Sequence, residues 1–149
     1  MQTRAVDAER VRPLRMRVLR PGRPPHDSVY DGDEEPGTLH CAVVTDAGEL
    51  VGIATALASP HPRDPAIGDW RIRGMATAPE RRREGVGRML LAACEQHVRE
   101  AAGLRIWCNA RVAAVPFYES AGYATESEIF EIPTIGPHRL MAKPVASSL

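Results

Sequence analysis

The chain has 149 residues, 44% hydrophobic and 26% charged, ordinary content for one globular domain (residues 1–149) with a substantial core. Nineteen Lys and Arg balance nineteen Asp and Glu, so net charge makes no case for nucleic acid or an anionic membrane as partner. No apolar run approaches the roughly 20 residues that span a bilayer, and the first ten residues lack the apolar core of a signal peptide.

In chain order, Gln2 to Val6 reads as a short strand, and Asp7 is placed to cap a helix reaching about Leu19. Pro13 falls inside that helix and should kink it or delay its start. Arg20 to Gly37 is rich in Pro, Gly and acid and lacks periodicity, which predicts a long loop. Thr38 to Thr45 and Leu50 to Ser59 read as a hairpin joined at Asp46-Ala-Gly48, and a strand follows at Asp69 to Thr77. A helix is predicted over Gly85 to Ala102, with Val86, Met89, Leu90, Ala93, Val98 and Ala101 on its apolar face. Leu104 to Arg111 reads as a strand, followed by a short helix that Gly122 terminates. The last segment reads as two strands, Ala124 to Pro133 and Ile135 to Lys143. Cys41, Cys94 and Cys108 have no metal-ligand spacing, so reduced thiols in a cytoplasm and no metal site are expected.

The stretch from Trp70 to Leu91 is the most informative. A strand, a basic turn (Arg81, Arg82, Arg83) and a helix opening at Gly85-Val86-Gly87-Arg88 make an anion-binding device. The first N–H groups of a helix have no intrahelical partner, and glycine lets a phosphate approach the backbone. A Walker loop needs a different spacing and a Lys-Ser/Thr pair. A dinucleotide fingerprint needs a small residue where Leu90 stands and a strand ending nearer the first glycine.

The remaining pattern, Arg82-x-x-Gly85-x-Gly87 after Met75-Ala76-Thr77-Ala78-Pro79, resembles the pyrophosphate loop of the GNAT superfamily of acyl-CoA-dependent N-acetyltransferases. A second block is similar to the same superfamily: a strand, Asn109, Ala113, then Phe117-Tyr118-Glu119 and Gly122-Tyr123. A third, weaker likeness lies in Gly136-x-His138-x-x-Met141. The resemblance implies an α/β fold of the α+β type, a mixed, mostly antiparallel sheet with helices on both faces. It implies acetyl-CoA as acyl donor, CoA as product, a small-molecule or peptide amine as acceptor, and often a homodimer, for which the chain shows no readable interface.

By the same resemblance, backbone groups at Met75, Ala76 and Thr77 would hold the pantetheine arm. The N–H groups of Glu84, Gly85, Val86, Gly87 and Arg88, with Arg82 and Arg83, would hold the pyrophosphate, and Asn109 would contact pantetheine or acceptor. Tyr118 matches the general acid; a phenol of ordinary pKa about 10 stays protonated at neutral pH and can donate to a departing thiolate. Gly74 is placed to permit a bulge in the strand. Many members carry a carboxylate on this strand, but here Arg71 and Arg73 occupy it, and arginine is no base. Arg73 could hold a carboxylate on the acceptor or be a solvated strand residue. His40, Glu34, Glu35, His138 and a water chain stay open as base. The acids Asp27, Asp31, Asp33, Glu34 and Glu35 could attract a cationic acceptor or be a solvated run. Cys108, inside an apolar strand, reads as a packing residue rather than a nucleophile. The alternative function is a non-catalytic acyl-CoA-binding or sensor module.

Overall fold

Hydrogen bonding and apolar burial sort the described residues into eight strands and three α-helices, with strand pairing that is mostly antiparallel. The computed structural model describes residues 1–145. They fall into two compact units, Met1–Ala58 with Ile72–His97, and Ser59–Arg71 with the chain from Val98 onward.

In the first unit, β1 (Gln2–Ala5) pairs antiparallel with β2 (Leu39–Val44), and β2 pairs antiparallel with β3 (Leu50–Ala58). The turn between β2 and β3 closes through Thr45, whose carbonyl accepts from Gly48 N–H at 2.8 Å. The later half of β4 (Asp69–Thr77) follows β3 in the strand order. The expected hairpin is therefore present, β2 shorter by one residue at each end and β3 by one at its last, and the third strand has its expected bounds.

Helix α1 (Ala8–Leu14) buries Ala8, Val11 and Leu14, spaced three apart on one face. Asp7 has the extended backbone of a cap but makes no side-chain cap bond. The predicted helix to Leu19 does not stay α-helical. Pro13 offers no N–H, and from Arg15 to Leu19 the backbone widens into a π turn, with Arg20 N–H donating to Arg15 O at 3.0 Å.

Helix α2 (Val86–Glu100) buries Val86, Leu90, Leu91, Cys94 and Val98. Its buried stripe is rotated from the predicted face: Met89 and Ala93 are only half-buried, and Ala101 lies past the helix end, exposed. Val86 packs so closely on β3 that a Cβ placed on Gly52 would stand 2.3 Å from Val86 Cγ1. Val43, Val51, Ile53, Ile72 and Leu90, each at most 1% exposed, centre this core; full burial of each such side chain is worth about 1.5–3 kcal/mol.

In the second unit, the first residues of β4 pair in parallel with β5 (Arg105–Arg111), from Asp69 opposite Arg105 to Arg71 opposite Trp107. β5 is antiparallel to β8 (Gly136–Pro144) along its whole length. Two short strands, β6 (Ala124–Thr125) and β7 (Phe130–Ile132), both pair with β8, so the predicted Ala124 to Pro133 strand is two strands. The break before β8 is a turn at Pro133-Thr134, where Thr134 is left-handed (φ +67°). Trp107, Leu140 and Ala142 pack together with Phe130 against them. Helix α3 (Val115–Ser120) ends where Gly122 turns left-handed at φ +95°, as predicted, and Tyr123 N–H donates to Tyr118 O at 3.0 Å. Among the described residues no helix is long and apolar enough to cross a membrane.

Candidate active site

β4 ends in Met75, Ala76 and Thr77; Ala76 is buried and its two neighbours are half-buried. Ala78 N–H donates to Val51 O at 2.8 Å and pins the start of the turn. The chain then makes a short 3-10 turn at Pro79–Arg81, and Arg83 and Gly85 both adopt left-handed backbone (φ +68° and +83°) before α2 begins at Val86. Gly85 thus lies just outside the helix rather than as its first residue. A Cβ at Gly85 would meet nothing within 4 Å, so the space in front of it is open.

Met89 N–H donates to Gly85 O, which leaves the preceding N–H groups without a carbonyl one turn back. The first turn of α2 holds no acidic side chain. Around it, Glu80 is held by both Nη atoms of Arg17 at 3.1 and 2.7 Å, and Glu84 accepts from Arg81 at 3.4 Å. The Arg17 hydrogen bonds and charge hold the Glu80 carboxyl below its ordinary range. Arg82 and Arg83 are exposed with no carboxylate partner among the described residues. Val86 is 1% exposed, so its side chain anchors the helix and only its backbone faces the turn. The arrangement is a positive, open cradle suited to a multiply charged anion.

Upstream on β4, Arg73 stacks on the ring of Tyr30, 4.4 Å from its centroid, and Gly74 is left-handed at φ +62°. A Cβ on Gly74 would sit 3.2 Å from Arg15 Nε and 3.3 Å from Tyr30 Cε2, which explains the glycine. Arg15, wholly buried, donates to Asp33 through Nη1 (2.7 Å) and Nη2 (3.0 Å), and to Thr55 Oγ1 at 2.9 Å. Burial alone would push the Asp33 carboxyl up. The Arg15 hydrogen bonds, the Tyr30 N–H and the nearby positive charge outweigh burial and hold it below the ordinary carboxylate range.

This network removes two sequence candidates from solvent. His40 is 5% exposed and uses both ring nitrogens. Its Nε2 faces the Asp33 carbonyl at 2.9 Å and must carry the proton, while Thr55 hydroxyl lies 2.8 Å from Nδ1. The acidic loop is likewise no uniform solvated run. Asp33 is buried, Asp27 pairs with Arg23 at 2.8 Å, and Glu34 pairs with Arg12 at 3.3 Å. Asp31 and Glu35 remain exposed.

In the second unit, Asn109 is half-buried in β5 opposite Leu140 of β8. Tyr118 is 7% exposed, with its ring edge-on to Phe117 at 5.1 Å and to Tyr123 at 5.5 Å. Phe117 is half-buried. Cys108 is 2% exposed, and burial pushes its thiol up to about 12 against a smaller opposing effect from Arg71, so it is inert as a nucleophile at neutral pH. Arg71 itself stacks on Trp107, 4.8 Å from the ring centroid. His138 has Nδ1 2.8 Å from Gly136 O, which assigns the proton to that nitrogen, and Nε2 has no hydrogen-bond partner among the described residues. Among the described residues no three His, Cys, Asp or Glu side chains gather as a metal site would require.

Tyr30 and Arg15 carry no sequence signal. Tyr30 lies in the aperiodic loop, and the Arg15 partners stand 18 and 40 residues away.

Comparison with known proteins agrees with this architecture. A model of the acetyltransferase (GNAT) family matches residues 8–123. The Bacillus subtilis (strain 168) protein YitI, described as an uncharacterized N-acetyltransferase, is 30% identical over 148 residues, 99% of each chain. An aminoglycoside 6'-N-acetyltransferase solved with coenzyme A is similar in fold at TM-score 0.76 and 17% identity, over 100% of this chain and 99% of that one. The Escherichia coli ribosomal-protein-S18-alanine N-acetyltransferase is similar at TM-score 0.73 and 16% identity, over 99% and 96%. The strand–turn–helix, the order of elements and these matches lead to one conclusion: the chain belongs to the GNAT family of acetyltransferases.

Proposed function

We propose that the chain is a single-domain N-acetyltransferase that moves the acetyl group of acetyl-CoA to a primary amine by direct attack in a ternary complex. The observation that carries this reading is the cradle at the start of α2. A left-handed glycine opens onto empty space, with helix N–H groups behind it and two uncompensated arginines beside it. The first-turn backbone of residues 84–88, with Arg82, Arg83 and Arg88, is assigned to the pyrophosphate. Met75, Ala76 and Thr77 are assigned to the pantetheine arm through backbone groups, and an N–H there would donate to the thioester oxygen as negative charge grows on it.

Bound acetyl-CoA supplies the activated acyl carbon and a thiolate leaving group. Tyr118 is assigned the proton donated to that thiolate, and Asn109 a contact to pantetheine or acceptor. His40 is excluded as base by its two occupied nitrogens. Glu34 pairs with Arg12, which leaves Glu35, His138 Nε2 or a water chain to take the amine proton. Cys108 has no part in this sequential route. The reading includes a cytoplasmic location, supported by three free, buried thiols among the described residues.

The test combines calorimetry with thiol release. Gly85→Glu should abolish CoA binding, by placing a carboxylate in the cradle and straining the left-handed backbone. Tyr118→Phe should bind CoA like the wild type while releasing thiol at least tenfold more slowly. CoA binding that survives Gly85→Glu unchanged would remove the cradle assignment. Binding without turnover on any amine would instead favour the non-catalytic module.

A further inference from the structure

Tyr30 is packed among three guanidinium groups. Those of Arg15, Arg73 and Arg20 lie 3.9, 4.4 and 5.3 Å from its ring centroid. One carboxylate serves the three: Asp33 is committed to Arg15 in a fork of two hydrogen bonds and also accepts the Tyr30 N–H at 3.0 Å. Arg20 donates to the carbonyl of its neighbour Leu19 at 2.9 Å, and Arg73 reaches the carbonyl of Asp31 at 3.4 Å, a weak bond.

Among the described residues, two cations therefore stand beside Tyr30 without an ionic partner. The nearby acids do not supply one: Asp27 and Glu34 are engaged by Arg23 and Arg12, and exposed Asp31 meets Arg73 only through its carbonyl. The cluster also leaves polar atoms unanswered. Tyr30 is only 8% exposed, yet its hydroxyl has no hydrogen-bond partner, and the buried Arg73 Nε has none either. Burying a donor without a partner is unfavourable, and such a group calls for something that completes the set. The missing component is an acceptor-rich anion: a planar guanidinium and a phenol together offer donors matched to carboxylate or phosphate oxygens.

Its place on β4 gives the cluster a role. Arg73 lies two residues before Met75, on the strand assigned above to the pantetheine arm. We infer that Arg73, with Tyr30 and Arg20, forms the acceptor-specificity site of this enzyme and selects amines that carry an oxyanion, a carboxylate or a phosphate. Arg15 and Asp33 are positioning residues that hold the Tyr30 ring. This rests on the assignment of β4 to acetyl-CoA.

The experiment compares α-amino acids and an amino-sugar phosphate with amino-acid amides and uncharged amines, in wild type and in Arg73→Gln and Tyr30→Phe. In wild type the oxyanion-bearing amines should give kcat/KM at least tenfold above their uncharged counterparts, and the better of the two anionic classes names the source. Arg73→Gln should raise KM for the anionic acceptor at least tenfold, with KM for acetyl-CoA unchanged and a much smaller change for the uncharged amines. Tyr30→Phe, which keeps the ring, should show the same selectivity at several-fold. Calorimetric titration of the same amino acids into the CoA-loaded protein reads binding without turnover and should weaken in parallel. Equal kcat/KM for charged and uncharged acceptors, or equal affinities in wild type and Arg73→Gln, would overturn the inference. A wild type that binds no CoA would strike the acetyl-CoA reading on which the inference rests, whereas loss of CoA binding only in Arg73→Gln would place Arg73 with the cofactor and overturn the inference.

Discussion

Arg15 and Asp33 meet as a two-pronged, fully buried ion pair: Nη1 to Oδ2 at 2.7 Å, Nη2 to Oδ1 at 3.0 Å, with side chains 0% and 2% exposed. The pair ties the π turn after α1 to a loop whose regular structure is a 3-10 turn at Pro25–Ser28, and Ser28 O and Thr55 Oγ1 accept further bonds from Arg15 Nη1 and Nη2, while its Nε has no partner among the described residues. It brings Ser28, Tyr30 and Asp33 of that loop into the core.

Removing one partner leaves the other charge buried and unpaired. Arg15→Met should destabilise the protein by about 3–5 kcal/mol in chemical denaturation. Asp33→Asn, which keeps the shape, should cost less than Arg15→Met. If Arg15→Met unfolds at the wild-type midpoint, the pair is not structural.

A second pair sets an acid-dependent part of stability. Arg105 Nε donates to Asp69 at 2.8 Å, and Asp69 also accepts from the N–H groups of His61 and Ala66. The Arg105 hydrogen bonds lead, burial opposes, and the Asp69 carboxyl is held down at about 2 against an ordinary 3.8. A depressed folded pKa stabilises above the ordinary value and loses that contribution as pH falls through the folded value. Stability should therefore drop between pH 4 and pH 2. In Asp69→Asn this component should be missing, leaving a shallower decline that reflects Asp33 and its neighbours. Parallel pH profiles for the two proteins would remove Asp69 from the account.

Gly52 permits the close approach of β3 and α2. Gly52→Ala should destabilise by about 1–3 kcal/mol, because its Cβ would fall 2.3 Å from Val86 Cγ1. Val86→Ala in the same chain should recover part of that loss, as a double-mutant cycle would measure. An additive double mutant would contradict the contact.

Cys108→Ala should keep steady-state acetylation within a few-fold of wild type, because the thiol is buried and held protonated. A loss above a hundredfold, with an acetylated Cys108 detectable by mass spectrometry in the wild type, would indicate a ping-pong route.

The strand–turn–helix from β4 to α2 was readable because its information is local. Thr77-Ala78-Pro79 ends a strand, and Gly85 must be where a left-handed residue opens a helix. Gly122 at the end of α3 is readable for the same reason. The α2 face was only partly so: once the helix starts at Val86, the Val86–Leu90–Cys94–Val98 row turns inward, and Met89 and Ala93 move to its edge. β6 and β7 could not be separated from sequence, because each exists by pairing with β8, in register with Met141 and His138 respectively. Tyr30 and Asp33 were illegible as core residues. Nothing near them in sequence states that Arg15 will reach across 18 residues to bury them.

The central claim is acetyl transfer to an amine, and thiol release from acetyl-CoA across an amine panel tests it most directly. Wild type should release thiol only when a primary amine is present, with the N-acetylated product formed in equal amount, and Tyr118→Phe should be at least tenfold slower at unchanged CoA affinity. Tight CoA binding with no amine-dependent thiol release, or a Tyr118→Phe variant as fast as wild type, would contradict the account.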